Sequence, residues 1–321
     1  MRRRALLKAG GSSLLIPAGL AGVSGCQQTG LATPEPSQVN GTASNAGARL
    51  DKFGLQLSTV TQLMLADFEG TLEQVATIGY QQVEFSALGF LGRSATDIRG
   101  LLDKFSLEAP VGRITPKLPD GFYTLPREEA MKIYGERSQP KYFLDNVSHS
   151  LEAAVALGQG YLVLPALTPN NFGTLDQVKK NIELLNQAGE FCAKQDVVFG
   201  YHNHNWELSE IDGVVPYDLM LEQTDASAVT FQLDAYWIRK GGGDLSDYLS
   251  RHAGRFATCH MKDIDGSGDF ADVGDGLIDF PRFTREALAQ GAKYFFVERD
   301  NPPEPQQSIQ RSYDFLQQMT F

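Results

Sequence analysis

The sequence predicts an α/β fold, a (β/α)8 TIM barrel in a single domain. From residue 53 onward, short apolar runs alternate with longer amphipathic runs, and eight strand-like runs occur in all. This alternation is typical of βα units on a parallel sheet, and eight units within about 270 residues favour a closed barrel. An open Rossmann-like sheet is the alternative, but no Gly-rich phosphate loop follows the first predicted strand.

Each predicted strand is a short apolar run, and each is followed by a helical pattern. Ser94 and Thr174 suit helix N-caps, Pro281 suits a first turn, and Gly158 suits a helix end. The strands are predicted at residues 53–57, 82–85, 109–114, 160–164, 197–201, 229–233, 257–260 and 294–297. The helices are predicted at residues 71–78, 95–104, 141–157, 175–194, 217–223, 245–252, 280–288 and 306–319.

Residues 1–26 have the pattern of an export signal of the twin-arginine and lipoprotein type. Arg3 and Arg4 precede an apolar, small-residue region at residues 14–23, which is too short to span a membrane. Residues 23–26, Val-Ser-Gly-Cys, are typical of a lipobox, in which Cys26 is lipidated and tethers the chain to a membrane. The alternative is an ordinary secretory signal with an incidental Cys. We therefore expect an exported, periplasmic or cell-surface, membrane-anchored lipoprotein.

Two further segments follow the signal. Residues 27–49 are rich in Gly, Ala, Thr, Ser, Pro and Gln, which predicts a flexible linker. Residues 50–321 form the predicted barrel domain. Cys192 and Cys259 lie in a helical and a strand pattern, where buried thiols are favoured over a disulfide.

The charge balance bears on the partner. The chain has 28 basic and 39 acidic residues, and all four basic residues of the first 25 positions belong to the predicted signal. The remaining chain is therefore strongly acidic and repels a phosphate backbone, so we expect no nucleic-acid partner. Much of this acidity is also what a well-solvated surface carries.

Potential metal ligands follow four consecutive predicted strands. They are Glu207, Asp234, His260 and Glu298, after strands five to eight. Because the carboxyl ends of barrel strands converge on one rim, these side chains are expected to meet. Carboxylates with an imidazole favour Mn²⁺ or Mg²⁺, with Zn²⁺ and Co²⁺ as alternatives. His202 is the alternative fifth-strand ligand, since the reach of Glu207 depends on an unpredicted turn.

Residues 201–207, Tyr-His-Asn-His-Asn-Trp-Glu, together with Asp234, His260 and Glu298, resemble the sugar phosphate isomerase/epimerase family with the xylose isomerase-like barrel. The resemblance covers residues 53–321. It implies a TIM barrel with a divalent metal at the strand ends and an isomerase or epimerase activity on a carbohydrate. Ketose epimerases of this family present a carboxylate in the fifth strand, where this chain has His202. Members with a Tyr-His-Asn-His segment are similar to enzymes that cleave 3-keto-glycosides, so a lyase or hydrolase is the alternative.

Other polar residues near the predicted rim are candidates for catalysis and substrate binding. A base next to a sugar carbonyl could be His202, His204 or Glu298. Lys262 could hold a substrate oxygen, or form a loop salt bridge with Asp263. The segment at residues 116–139 is either a lid or a surface insertion. The candidate substrate-binding residues are Glu84, Arg113, Asn203, Trp206 and Trp237.

Two other classes of function are open. One is a non-catalytic carbohydrate-binding lipoprotein, although every expected ligand position carries a polar residue. The other is a barrel nuclease of the endonuclease IV type, which uses more His ligands and a basic face.

Overall fold

The structure, a computed structural model, describes residues 47–321. The predicted signal peptide, Cys26 and most of the predicted linker lie outside the described residues. At the start of the described part, the Ala48 carbonyl accepts a hydrogen bond from the Phe321 backbone N–H at 3.0 Å. Among the described residues, no helix combines the length and apolarity needed to cross a membrane.

Eight parallel strands form one sheet. Two further short strands pair antiparallel in the loop that follows the seventh strand. The strands are β1 Gly54–Gln56, β2 Gln82–Glu84, β3 Val111–Arg113, β4 Tyr161–Leu164, β5 Val198–His202, β6 Val229–Asp234, β7 Phe256–Met261, β8 Asp263–Ile264, β9 Phe270–Ala271 and β10 Tyr294–Val297. The order of the large sheet is β2-β1-β10-β7-β6-β5-β4-β3.

The sheet curls into a nearly closed barrel. Between β2 and β3 the described residues form no strand ladder, but a parallel bridge joins Gln82 to Glu108 just before β3. The Val83 N–H donates to the Glu108 carbonyl at 2.8 Å. We call this junction between β2 and β3 the seam. The predicted fold class, a (β/α)8 TIM barrel, is confirmed.

Helices surround the barrel. They are α1 Thr61–Ala66, α2 Phe68–Ile78, α3 Ala95–Phe105, α4 Arg127–Arg137, α5 Phe143–Leu157, α6 Leu175–Ala193, α7 Pro216–Gln223, α8 Ala235–Lys240, α9 Leu245–Arg251, α10 Phe280–Ala289 and α11 Pro305–Gln318. All eight predicted strands and all eight predicted helices overlap these elements. Three helices, α1, α4 and α8, were not predicted, because α1 and α8 have only six residues each and α4 has no buried face.

The predicted helix ends are also present. Ser94 forms a capping box with Asp97, and the Thr174 side chain accepts from the Gln177 N–H. Gly158 ends α5 in the left-handed region at φ 67°, where a residue without Cβ is favoured. These local signals fix where the helices begin and end, and therefore which loops lie at the barrel rim.

The strands are apolar because helices cover their outer faces. Phe231 and Leu233 of β6 are fully buried in the core, and so are the neighbouring Phe199 and Phe295. Four polar exceptions lie towards the carboxyl ends of the strands. A layer of fully buried polar side chains therefore lies just below the rim. It consists of Gln56, Glu84, Gln232 and Asp234.

Candidate metal centre and cleft

Four buried side chains meet at the carboxyl ends of neighbouring strands. His202 and Asp234 end β5 and β6, His260 lies in β7, and Glu298 follows β10. One ligand atom from each side chain lies within 4.8 Å of the ligand atoms of the other three. We call these four residues the cluster. It contains three of the four predicted metal ligands, and His202 occupies the fifth-strand position.

His202 and Asp234 each have one polar atom held by an outer partner. The Nδ1 of His202 lies 3.1 Å from Gln232 Oε1, and its Nε2 lies 3.8 Å from Asp234 Oδ2. The Oδ1 of Asp234 accepts the Trp237 N–H at 2.9 Å, while its buried Oδ2 has no hydrogen-bond partner among the described residues. Each side chain thus keeps one donor atom turned towards the centre.

The same arrangement holds for His260 and Glu298. The Nε2 of His260 lies 2.6 Å from Glu84 Oε2, and its Nδ1 lies 2.8 Å from Glu298 Oε2. Glu298 accepts the Ser58 hydroxyl at 2.9 Å on its other oxygen, Oε1. A ligand imidazole commonly has its second nitrogen on a carboxylate or carbonyl oxygen, and that contact fixes the ring.

This donor set fits a divalent cation. Two imidazole nitrogens and two carboxylate oxygens suit a borderline ion such as Mn²⁺, Zn²⁺ or Co²⁺ better than a purely oxygen-liganded ion. The unpartnered buried Oδ2 of Asp234 is the strongest single sign, because a buried carboxylate oxygen without a partner is otherwise costly.

Electrostatic interactions in the cluster are strong because its groups are buried. Burial raises the pKa of Asp234 to about 7. Burial acts to lower the pKa of His260, but Glu298 and Glu84 outweigh it and raise that pKa to about 9. The pKa of His202 is lowered by burial, then by His260 and Arg113. The carboxylates therefore stabilise positive charge at the centre of the cluster.

A cleft of about 330 Å³ opens over the cluster. It falls in the size range of small-molecule sites. Two cluster members, His202 and Glu298, lie in its wall. Its other polar lining residues include Gln56, Ser58, Arg113, Tyr134, Ser138, Asn146, Thr168, His204, Lys262 and Asp300.

Lys262 and Arg113 are cations of the cleft wall, and Lys262 lies against Glu298. Its Nζ donates to Glu298 Oε2 at 3.2 Å and to Asp300 Oδ2 at 2.7 Å. Burial disfavours the charge of the ammonium, but Glu298 and its acidic neighbours raise the pKa overall. The rings of Trp237, Phe270 and Tyr236 lie 5.0, 5.2 and 5.8 Å from Nζ. The partners of Lys262 are therefore carboxylates of the cleft and aromatic faces.

Asp263 does not form the loop salt bridge considered above for Lys262. Its carboxylate instead organises the loop after β7 by accepting backbone N–H groups. The donors are Ile264, Gly274, Gly276 and Ile278, at 2.9 to 3.1 Å.

His204 also lines the cleft. Its ring stacks on Trp206 with centroids 4.2 Å apart, and its buried Nδ1 has no hydrogen-bond partner among the described residues. The pKa of His204 is lowered to about 3 by burial and then by Lys262. The Trp206 Nε1–H donates to the Leu167 carbonyl at 3.1 Å, so the ring behind His204 is fixed.

Glu207 lies outside the cluster. Its carboxylate accepts the Tyr201 hydroxyl, and its Oε2 accepts the His204 backbone N–H at 3.0 Å. Burial raises the pKa of Glu207 to about 7. The structure thus places His202 at the fifth-strand position, and Glu207 beneath the turn at residues 203–206.

The predicted substrate-binding residues have different surroundings. Arg113 lines the cleft, and its NH1 donates to Gln232 at 2.7 Å. Glu84 is fully buried behind His260 and lies outside the cleft lining. Asn203 is fully buried and accepts the Asp234 backbone N–H at 3.0 Å. Trp206 and Trp237 pack behind His204 and Lys262 rather than lining the cleft.

Several residues of the site were not predicted from the sequence. Gln232 contacts His202 and also donates to Glu84 at 3.1 Å. A polar residue between Phe231 and Leu233 in an apolar strand is the signal that could have indicated it. Ser58 and Asp300 carry no such signal. Ser58 lies in a short 3₁₀ helix after β1 and Asp300 in the loop after β10, and both approach the cluster only after folding.

The segment at residues 116–139 forms part of the cleft wall. It contains α4, and Tyr134 and Ser138 line the cleft. The Tyr134 hydroxyl donates to the Ala87 carbonyl at 3.3 Å, which joins this segment to the loop after β2. It therefore contacts the site, rather than packing only on its own aromatic residues.

A family model described as "Xylose isomerase-like TIM barrel" matches residues 72–319. No curated protein sequence matches the chain significantly.

Solved structures share the fold. A sugar phosphate isomerase/epimerase from Parabacteroides distasonis is 24% identical with a TM-score of 0.68, covering 88% of this chain and 98% of that chain. An AP endonuclease, family 2, from Brucella melitensis is 17% identical with a TM-score of 0.62, covering 85% and 100%. The 3-keto-D-glucoside 4-epimerase from E. coli is 17% identical with a TM-score of 0.59, covering 84% and 99%.

Proposed function

This chain belongs to the xylose isomerase-like TIM barrel family, and on that premise we propose that it is a divalent-metal-dependent isomerase or epimerase. Its substrate is a sugar or sugar derivative, and the reaction begins with removal of a proton from a carbon next to a carbonyl group. The sugar phosphate isomerase/epimerase and the 3-keto-D-glucoside 4-epimerase among the neighbours support the carbohydrate class.

One observation carries this proposal. Each of the four cluster side chains has one atom on an outer partner and another atom turned towards a shared centre. Four independent side chains held in this way are what a preorganised metal site requires. A nuclease is disfavoured, because a strongly acidic chain repels a phosphate backbone.

The cluster and the cleft have different roles in the proposed reaction. A divalent cation held by His202, Asp234, His260 and Glu298 would stabilise the negative charge that develops on the sugar as the proton leaves. Lys262 adds an ammonium at the cleft wall, where it can donate to a substrate oxygen. Its bonds to Glu298 and Asp300 hold it there.

His204 is the proton acceptor in this proposal, and its pKa of about 3 keeps the ring in the neutral, accepting form at neutral pH while making it a weak base. Its Nδ1 is buried, has no partner among the described residues and belongs to a side chain that lines the cleft. The proton moves from the substrate carbon to the His204 ring, and the electron pair of the C–H bond moves towards the carbonyl. In an isomerisation, the proton returns to the former carbonyl carbon while the hydroxyl proton of the neighbouring carbon moves to the former carbonyl oxygen. In an epimerisation, water protonates the same carbon from the opposite face, and His204 releases its proton to solvent.

The test combines metal analysis with turnover. The purified protein, with added Mn²⁺, is assayed on a panel of aldoses, ketoses and keto-sugars, beside His204→Gln and the control His252→Gln. We expect His204→Gln to keep stoichiometric metal and lose about 10²-fold or more in kcat, as removal of a general base does. His252, at the end of α9, lies outside the cleft lining, so its replacement should leave kcat unchanged. A His204→Gln enzyme with full turnover contradicts the role of His204, and no turnover across the panel contradicts the proposed function.

A second candidate is a lyase or hydrolase that cleaves 3-keto-glycosides. It uses the same proton removal, after which the aglycone leaves from the adjacent carbon. A second cavity beside the cleft favours it, because a glycoside is larger than a free sugar. Release of p-nitrophenol from a 3-keto p-nitrophenyl glucoside would identify this reaction, and interconversion of free sugars without release would identify the first.

We also propose that the protein is exported and tethered through Cys26. The support is the sequence of residues 1–26 alone. Growth with a labelled fatty acid should label the wild-type protein and leave Cys26→Ser unlabelled. Label on both proteins, or on neither, contradicts the tether.

A further inference from the structure

A second cavity of about 400 Å³ lies beside the cleft, close to the seam. Its walls come from the loops that follow β2 and β3 and from α5. We call it the side pocket. It shares three lining residues with the cleft, namely Ser86, Arg113 and Pro116. The two cavities therefore adjoin, and together they offer more room than either alone.

Aromatic residues form part of the wall of the side pocket. The rings of Phe85 and Phe90 lie 4.9 Å apart and nearly perpendicular, and Tyr123 also lines the pocket. The Tyr123 hydroxyl donates to the Leu88 carbonyl at 2.6 Å, which fixes that ring. Fixed aromatic faces suit contact with a flat or apolar ring of a ligand.

The two arginines of the side pocket already have partners. The guanidinium of Arg93 lies 3.8 Å above the ring of Phe68. Arg113 donates through NH1 to Gln232 at 2.7 Å. Glu84 lies 3.8 Å from Arg113 Nε, and Asp120 also lines the pocket, so two carboxylates offset the two guanidinium charges. The pocket therefore suits a neutral group better than an anion.

We propose that the side pocket binds a neutral ring carried by the reacting sugar. The substrate is then a sugar conjugate, with one ring in the cleft and a second in the side pocket, rather than a free monosaccharide. This inference rests on the proposed function, because that function places the reacting sugar in the cleft. The shared residues Ser86, Arg113 and Pro116 mark where the link between the two rings would pass.

In the test, a larger side chain introduced on α5, away from the cluster, fills the side pocket. Ala153 lines the pocket and is half-buried, while Ala156 on the same helix is exposed. Binding of the methyl glucoside, the phenyl glucoside and cellobiose to the Mn²⁺-treated protein is measured by calorimetry or ligand-observed NMR. We expect the wild type to prefer phenyl glucoside or cellobiose over methyl glucoside by about threefold to tenfold. Ala153→Phe should abolish this preference, and Ala156→Phe should keep it.

A second variant guards against misfolding of Ala153→Phe. Tyr123→Leu removes one aromatic face, and it should also reduce the preference without changing methyl glucoside binding. In the wild type, a larger preference for phenyl glucoside indicates that the side pocket fits an aromatic ring, and a larger preference for cellobiose indicates that it fits a sugar ring. No preference in the wild type, or a preference that survives both variants, overturns the inference. A preference that behaves as expected in a protein without turnover supports the side pocket and contradicts only the proposed function.

Discussion

The two sides of this barrel are built differently. On one side, β5, β6 and β7 have five, six and six residues and form long ladders, with one register shift between β6 and β7 at Phe231 and Gln232. On the other side, β1, β2 and β3 have three residues each, and β2 and β3 form no strand ladder with each other among the described residues. The cluster lies mainly on the long strands, and the side pocket lies at the seam.

We infer from this difference that one side of the barrel positions the metal ligands and the other side recognises the substrate. Metal ligands must be held within a few tenths of an ångström, and long paired strands supply that rigidity. A cavity for a variable part of a substrate needs space and adjustable loops instead, and the seam supplies both. We expect changes on the ladder side to affect metal binding, and changes at the seam to affect the choice of ligand.

The largest expected effect comes from removing a ligand. Asp234→Asn and His260→Ala each remove one donor atom from the cluster. Loss of an outer partner weakens metal affinity by about 10–100-fold, so loss of a ligand should cost more than about 100-fold. Elemental analysis of the purified proteins after dialysis checks this, with Asp275→Asn as an exposed control. Stoichiometric metal in both ligand variants would show that the cluster does not bind the metal, and metal binding could then not be assigned to the ladder side.

A smaller effect is expected at Gln232, which fixes His202 from behind. Its Oε1 lies 3.1 Å from His202 Nδ1 and also accepts the Arg113 NH1. In the Nδ1–H tautomer, the His202 Nε2 lone pair faces the cluster. Gln232→Leu should therefore lower metal affinity by about 10–100-fold.

The matched control for Gln232 is Gln310→Leu on the exposed face of α11. Calorimetric titration with Mn²⁺ measures both variants without relying on turnover. Equal affinities for the wild type and Gln232→Leu would show that Gln232 does not position His202.

Much of the fold was predictable because each βα unit carries its own signal. Asp234, His260 and Glu298 were placed correctly at strand ends, since alternation along a strand fixes the register of its last residue. The helix α4 was missed because its eleven residues carry no buried face, and so no helical periodicity in apolar residues.

The fifth strand shows where this reasoning stops. His202 ends β5, so its direction follows from the strand, but the place of Glu207 depends on the turn in between. Secondary-structure propensities do not predict that the Glu207 carboxylate accepts a hydrogen bond from the His204 backbone N–H in this turn. The seam was equally hidden, because the pairing of β2 with β3 depends on how the whole barrel closes.

The ladder side also contains a carboxyl group with an unusual pKa. Burial raises the pKa of Glu207 to about 7. Burial also acts on Glu84, but there Arg113 and His260 outweigh it and lower the pKa. The comparison shows that a buried carboxyl group stays ionised only where cations surround it.

This pKa predicts a pH dependence of stability. Because the folded pKa of Glu207 exceeds its unfolded value, folding favours the protonated form, and its contribution to stability falls as pH rises from about 4.5 to about 7. Urea unfolding at several pH values should give a wild-type advantage over Glu207→Gln that shrinks by about 2–3 kcal/mol across this window. The exposed Glu210→Gln should show a constant difference. A constant difference for Glu207→Gln would contradict the raised pKa.

The smallest expected effect tests the seam itself. The strand β6 is paired on both sides, whereas β3 is paired through a ladder only with β4. Amides in less supported strands open at a lower free energy, so backbone exchange at Val111–Arg113 should be about threefold to tenfold faster than at Val229–Asp234. Hydrogen–deuterium exchange followed by mass spectrometry measures both segments in one sample, with β4 as the internal reference because it is paired on both sides. Equal protection of β3 and β6 would mean that the seam is as rigid as the ladder side, and that the side pocket owes its shape to the loops alone.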